Sequence, residues 1–311
     1  MDRAWPIGIL GVVQTPFTAA DEIDRWSLLR LIEDVLDARI DGLLVPAVAS
    51  ENAYLTLAEK LELAATVQAA VSGAVPVFWG AGAHDEETAV HVGQRAQQAG
   101  AAGLLVAVPP SLYEDQAQIV PYFVRIARQV DLPLMVQDLQ FGGPGMEIEV
   151  IARLCTEVDA VRYLKIETVP AGPKYTAVLA ATGGRVHVSG GWAVQQMAEA
   201  LDRGVHAMIP ECSMVRIYKA IDARHRGGQR EAARELFRSL APILGFTNQQ
   251  LEVSIRFFKR LLVRKGIFRS PRCRLPTPDF DVYQERVANE LIDDVLALEA
   301  ALFLSSAQRS E

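Results

Sequence analysis

Cysteine is scarce in this chain of 311 residues. Cys155, Cys212 and Cys273 are far apart and odd in number, which argues against a disulfide framework or a thiolate zinc site. Each reads as a reduced thiol, and Cys212 as a packed one. Long hydrophobic runs are missing too. No stretch reaches the roughly 18 apolar residues of a membrane span, and the opening MDRAWPIGIL holds no long apolar segment ending in a cleavage site. A cytoplasmic protein with no membrane partner is therefore expected. Positive charge is short as well: 31 Lys and Arg against 38 Asp and Glu leave a net charge of −7, without the clustered field that neutralises nucleic-acid phosphates. The one basic stretch, 256–274, interleaves its charges with apolar residues at helical spacing and reads as a solvated helix face. No GxGxxG or GxxxxGK(S/T) pattern opens a helix, which disfavours a nucleotide-binding sheet. No His, Cys, Asp and Glu cluster has metal-ligand spacing, so no metal is expected.

Half the residues are apolar and 22% are charged, with mean hydropathy +0.14, a composition of folded rather than disordered chains. The length allows two ordinary domains or one large α/β unit. Short apolar runs bounded by Gly or Pro occur at 8–13, 42–46, 76–80, 103–108, 132–136, 161–166, 186–190 and 205–209. Between them lie stretches with apolar residues at i, i+3, i+4 and i+7, such as 26–38, 56–71, 86–99, 116–129 and 147–158. Strand followed by helix, repeated, implies parallel pairing, and near-continuous apolar strands suit a sheet covered on both faces. Eight such units in about 210 residues match a closed (β/α)8 TIM barrel better than an open doubly wound sheet. Four helical stretches follow at 214–226, 229–244, 249–265 and 287–304. The expected organisation is a catalytic barrel over 1–212 and a C-terminal helical extension over 213–311.

Such a barrel carries its site at the carboxyl ends of its strands. Those ends hold Gln14 and Thr15, then Ala47, Ser50 and Glu51, then Gly80 and Gly82, then Pro109, Pro110 and Ser111, then Gln137 and Asp138. Lys165 and Glu167 follow, then Ser189, Gly190 and Gly191, then Pro210 and Glu211. The chain's lysines are Lys60, Lys165, Lys174, Lys219, Lys259 and Lys265, and only Lys165 lies in an apolar β-run, VRYLKIE. Alternation puts Val161, Tyr163, Lys165 and Glu167 on one side and Leu164 and Ile166 on the other. If the latter pair packs on outer helices, Lys165 points into the barrel. Taking an amine out of water disfavours its charged form and frees a nucleophile for attack on a carbonyl, as a Schiff base requires. The competing reading is a lysine neutralised by Glu167 or Glu51, a buried pair seldom more stabilising than apolar residues of the same volume.

These residues resemble the Schiff-base (β/α)8 aldolases and dehydratases of the dihydrodipicolinate synthase and N-acetylneuraminate lyase family. The likeness spans essentially the whole chain. It rests on GVVQTPF at 11–17, AVASE at 47–51 where the family has a Gly-x-x-Gly-Glu turn, WGAGAHDEETA at 79–89, YLKIET at 163–168 and VSGGW at 188–192. The resemblance implies the Schiff-base role for Lys165, a small 2-keto acid substrate, no cofactor, and a homotetramer built as a dimer of dimers. Four positions depart from the family. Its catalytic tyrosine on strand five is Gln137, its threonine pair is Val48 and Ala49, and the tyrosine lent by a neighbouring subunit falls on Ser111. With VQD on strand five, VPPSL at 108–112 and NQQLEVSIRFFKRLLVRKGI at 248–267, the chain is similar to one branch in particular. That branch dehydrates 2-keto-3-deoxy sugar acids such as L-2-keto-3-deoxyarabonate to α-keto semialdehydes, and glutamine takes the tyrosine's place in it.

An amide has no usable acidity, so Gln137 can hydrogen-bond but cannot take the C4 hydroxyl proton that retro-aldol cleavage must lose. Dehydration needs a base for a C3 proton and an acid for the departing C4 hydroxyl, and positioned groups of that kind contribute about 10²- to 10⁴-fold each. Glu51 is the first choice, since the family keeps a Glu there, set against a role accepting backbone N–H bonds in its own loop. Asp138, Glu167 and Glu211 follow, with Asp138 facing away from Gln137. Lys165, Gln137 and Glu51 are thus the expected catalytic residues. Thr15, Ala49, Ser50, Ser111, Asp138, Gly190, Gly191, Met208 and Glu211 are expected around the substrate, the glycines to clear space near the imine. His84 is expected near the mouth, and His91, His187, His206 and His225 as packing or surface residues. The expected activity is that of a carbon–oxygen lyase. The alternatives are a pyruvate-dependent aldolase of the same family and a non-catalytic keto-acid-binding homologue that kept the lysine.

Overall fold

Each of the eight apolar runs forms a strand of one closed barrel. The strands are β1 (Gly8–Val12), β2 (Gly42–Val45), β3 (Val77–Gly82), β4 (Gly103–Ala107), β5 (Leu134–Leu139), β6 (Val161–Glu167), β7 (His187–Gly190) and β8 (Ala207–Met208). The computed structural model describes residues 6–82, 85–191 and 194–307. Neighbours pair in chain order and in parallel. The register of Gly8 with Ala207 and Ile9 with Met208 joins the last strand to the first, which rules out the open sheet. His84 and Trp192, named from the sequence, lie outside the described residues.

Side-chain caps start the first three intervening helices. Asp24 accepts from the amides of Trp26 and Ser27 at the head of α1 (Arg25–Asp37), and Thr56 with Glu59 forms a capping box on α2 (Leu57–Val71). Asp85 accepts from the Thr88 amide to begin α3 (Glu86–Gln98). The barrel layer continues with α4 (Ile119–Ala127), α5 (Ile148–Glu157), α6 (Ala171–Thr182), α7 (Met197–Asp202) and α8 (Val215–Arg226). Alternation along the strands sorts their side chains into two cores. Ile9, Leu43, Val136, Leu164 and Ile166 pack toward the helices, while Leu10, Leu44, Phe78, Met135 and Tyr163 fill the barrel interior. Glycine is required at one close approach, because a Cβ on Gly80 would lie 1.8 Å from the carbonyl oxygen of Pro46.

Beyond the barrel run α9 (Arg230–Ser239), α10 (Ala241–Thr247), α11 (Leu251–Arg264) and α12 (Val282–Ala307). The stretch expected as one helix over 229–244 is two, broken at Leu240, where Pro242 cannot donate a backbone hydrogen bond to the preceding turn. The last helix starts at Val282 rather than at 287, because Asp281 accepts from the amides of Tyr283 and Gln284 at 2.9 and 2.8 Å and caps it. α8, which the sequence places in the extension, packs against β1. The three cysteines are free thiols, and Cys212 is buried. Among the described residues no helix is long and apolar enough to cross a membrane.

Candidate active site

Lys165 sits where alternation puts it. Its outward neighbours Leu164 and Ile166 belong to the helix-facing core, and Tyr163, one step below on its own face, closes the interior edge-on against Phe78 with centroids 4.9 Å apart. The lysine therefore stands on an apolar floor and looks toward the mouth. In register, Gln137 of β5 and Ser189 of β7 flank it.

Lys165 Nζ lies 2.8 Å from Glu167 Oε2, and the two side chains are only 3% and 9% exposed. Gln137 Nε2 donates to the same Glu167 oxygen at 2.5 Å. Of the two carboxylates the sequence offered as the lysine's partner, the structure selects Glu167. The choice is local, since Lys165 and Glu167 are two residues apart on one strand face. Gly191 makes the space for it: a Cβ there would stand 2.1 Å from Glu167 Oε1.

Lys165 and Glu167 open into a cavity of about 370 Å³ that Gln14, Ala49 and Glu211 also line. The far wall comes from the extension. Asn248, Gln249, Gln250 and Ser254, with Phe258 of α11, complete it, and Phe141 of the loop after β5 lies at its edge. Sequence reasoning found the barrel half of this cavity and missed the other half. The amide-rich NQQ stretch ahead of an amphipathic helix was the available signal.

Glu51 is not in the cavity wall. It sits at a left-handed backbone position, φ 57°, between two short helical turns. Its carboxylate is fully buried against Lys259 of α11, and its second oxygen accepts from the backbone amides of Arg274 and Leu275, both at 2.6 Å. With both oxygens engaged away from Lys165, Glu51 clamps the extension onto the β2 turn, a placement that favours the backbone-holding reading of this residue over the catalytic one. Burial pushes the Lys259 ammonium below its ordinary range, opposed by the Glu51 charge.

Other expected substrate contacts also serve the scaffold. Thr15 Oγ1 donates to the Ser50 carbonyl at 2.7 Å, and Ser50 Oγ donates to the Val13 carbonyl at 2.5 Å. Asp138 faces outward, as its register opposite to Gln137 requires. It pairs with Lys174 at 2.5 Å and accepts from Tyr113 Oη at 3.1 Å and the Met146 amide at 2.9 Å. Burial raises its carboxyl above the usual range despite Lys174. Met208 belongs to the helix-facing core, and a Cβ on Gly190 would meet Tyr175 Oη at 2.5 Å, so neither points at the cavity. Ser111 is exposed in a short helical turn after β4. Of the expected set, Lys165, Gln137, Ala49, Gly191 and Glu211 gather at or beside the cavity.

Glu211 differs from these. Its Oε2 accepts from Gln14 Nε2 at 2.9 Å and from the Ser213 amide, and Gln14 Oε1 in turn accepts from the Cys212 amide at 3.1 Å. Burial raises the carboxyl to about 7, against the pull of the Ser213 and Gln14 hydrogen bonds and the Lys265 charge.

Comparison with known proteins places these observations. The profile described as the dihydrodipicolinate synthetase family matches residues 6–293. An L-2-keto-3-deoxyarabonate dehydratase of Azospirillum brasilense is 29% identical over 280 residues, 88% of this chain and 89% of that protein. A 4-hydroxy-tetrahydrodipicolinate synthase of Methanococcoides burtonii is 34% identical over 149 residues, 47% of this chain and 50% of that protein. Among solved structures, a dihydrodipicolinate synthase from Rhodopseudomonas palustris superposes with a TM-score of 0.84 at 23% identity, covering 94% of this chain and 97% of that one. This last likeness concerns the fold.

Proposed function

The chain belongs to the dihydrodipicolinate synthetase family, and from that premise we propose that it is a Schiff-base-forming lyase that dehydrates a 2-keto-3-deoxy sugar acid. The observation that carries the reading is the trio at the end of β5 and β6: a buried amine, a carboxylate 2.8 Å from it, and an amide donating to that carboxylate. No phenol stands on β5, so the group that would take the C4 hydroxyl proton for carbon–carbon cleavage is missing from that position. The carboxylate that would take a C3 proton is present. The name of the Azospirillum relative, aligned over 89% of its length, supports the same choice.

The trio accounts for the protons of imine formation and of C3. Lys165 passes one to Glu167 and, as a neutral amine, adds to the C2 carbonyl. Glu167 returns that proton to the carbinolamine hydroxyl, water leaves, and the iminium forms. Now ionised, Glu167 takes a proton from C3, whose acidity the iminium has raised, and Gln137 holds the carboxylate in place by its hydrogen bond. The resulting enamine expels the C4 hydroxyl, which takes up a proton and leaves as water. Loss of a C5 proton, reprotonation of C3 and tautomerisation of the C4–C5 enol then give the α-keto semialdehyde once the imine is hydrolysed.

Borohydride trapping with L-2-keto-3-deoxyarabonate, read by intact mass, tests the imine. The adduct is expected on the wild type and absent from Lys165→Ala. Absence from both, or survival in the variant, would overturn the Schiff-base reading. The product separates the lyase subclasses: a semialdehyde is expected, and release of pyruvate would mark the enzyme as an aldolase. The homotetramer implied by the family is proposed with it, and sedimentation velocity reads it directly.

A further inference from the structure

Glu211 has no part in the chemistry above, yet its setting is that of a working acid. It ends the eighth apolar run, bridged to Val12, and lines the same cavity as Lys165, with only β7 between β6 and β8 in the barrel wall. Cross-strand register sets Ala207 level with Ser189 and Ser189 level with Lys165. Glu211, four residues past Ala207, is therefore nearer the mouth than Lys165. A substrate joined to Lys165 through C2 can extend C4 and C5 toward it.

The residue is 7% exposed. Its Oε2 accepts from Gln14 Nε2 and the Ser213 amide, while Oε1 has no partner among the described residues. A buried carboxyl oxygen without a donor is costly as an anion and suits a protonated acid whose hydroxyl faces a ligand. Around it, Lys265 at the end of α11 favours the anion, while Cys212 and Tyr218 of α8 lie close and Asp34 of α1 faces Cys212. Burial outweighs the lysine.

Resting on the dehydratase reading above, we propose that Glu211 is a second catalytic carboxyl, the acid at C4 and then the base at C5, with Gln14 as its positioning residue. Glu167 first takes a C3 proton from the iminium, and the C3–H electron pair becomes the C2–C3 double bond of the enamine. Glu211 hands its proton to the C4 hydroxyl. The C4–O bond breaks, water leaves, and a C3–C4 double bond conjugated with the C2 iminium remains. Glu211, now a carboxylate, takes a proton from C5. The C5–H pair forms the C4–C5 double bond, the C3–C4 pair moves to C3, and C3 recovers a proton from Glu167. The C4–C5 enol becomes the aldehyde by moving its hydroxyl proton to C4, and water hydrolyses the iminium to restore Lys165. Glu167 ends ionised and Glu211 protonated, as they began. Two carboxyl groups whose surroundings set opposite starting states divide the acid and base roles in this way.

The test compares wild type with Glu211→Gln, Glu211→Asp and Gln14→Leu, using L-2-keto-3-deoxyarabonate as the probe. Glu211→Gln is expected to give the Lys165 borohydride adduct in wild-type yield but to turn over about 10²- to 10³-fold more slowly. Glu211→Asp should recover part of that loss. Wild-type kcat should fall as pH rises through about 7, a limb absent from Glu211→Gln and displaced in Gln14→Leu. Turnover of Glu211→Gln within about threefold of wild type, with the adduct intact, would overturn the inference and leave the dehydratase reading standing. If that variant does not fold, a wild-type kcat that stays flat across the same pH range overturns it instead. Failure of the wild type itself to give an adduct would remove the reading, and this inference with it.

Discussion

Glu51 separates a structural from a catalytic account of the same residue, and Glu51→Gln tests it. Its side chain and that of Lys259 are both 0% exposed, so the substitution leaves an ammonium buried without its counter-charge. Removing one partner of such a pair costs about 3–5 kcal/mol. The two backbone amides that Oε2 serves can still reach an amide oxygen, which places the loss toward the lower figure. At roughly 2–4 °C per kcal/mol for chains of 150–250 residues, and about 1.5 °C for one of this length, the melting temperature should fall by about 5–6 °C. Because Glu51 touches neither Lys165 nor the cavity, kcat measured well below the transition should stay within a few-fold of wild type. KM should rise, since α11 carries both Lys259 and the cavity wall. Adding Lys259→Met removes the orphaned charge and should restore most of the melting temperature. The assays are thermal unfolding by circular dichroism and steady-state kinetics at about 20 °C. A Glu51→Gln protein that melts within about 1 °C of wild type but has lost 100-fold or more in kcat would refute the reasoning and return Glu51 to the catalytic set.

Further expectations follow from the same geometry. Glu167→Gln should lower kcat by about 10²- to 10⁴-fold, because it removes the C3 base while leaving Gln137 and the fold in place; kcat within threefold of wild type would count against that role. Gly80→Ala should fail to fold or melt far below wild type, since its Cβ would meet the Pro46 carbonyl oxygen at 1.8 Å, and an unchanged melting curve would contradict the packing. Burial raises Glu211 from an ordinary 4.5 to about 7, so the folded chain holds a proton that the unfolded chain releases. Stability from this group is complete below about pH 4.5 and lost as pH rises through about 7, an effect of roughly 3 kcal/mol at most. Relative to Glu211→Gln, the wild type should therefore lose melting temperature between about pH 4.5 and 7; parallel curves would refute this. Lys174→Met leaves Asp138 buried beside only neutral donors and should destabilise by about 3–5 kcal/mol, with the imine adduct still formed; unfolding by denaturant reads the loss.

The barrel was legible because its signals are local. Apolar runs punctuated by Gly and Pro recur eight times with helix-period stretches between them, and parallel closure is the arrangement that covers both faces of such strands. Where expectation and structure part, the cause is again a named residue: Pro242 splits one helix and the Asp281 cap lengthens another. The site was legible only in part. Lys165 stood out as a lysine in an apolar strand, and Gln137 as its neighbour. Glu51 was chosen from its place in a motif, which does not say which partner a side chain will meet; the fold sets it against Lys259.

What the sequence alone determined is therefore the strand and helix order and the inward face of Lys165, since alternation along one strand needs no distant information. Folding decided which carboxylate serves which cation. Glu51 meets Lys259 across 208 residues and Gln14 meets Glu211 across 197. Folding also brought the extension to the barrel mouth, where Asn248, Gln249 and Gln250 wall the cavity. Charges at such separations find each other only once barrel closure and the return of α11 have excluded the water that would otherwise satisfy them.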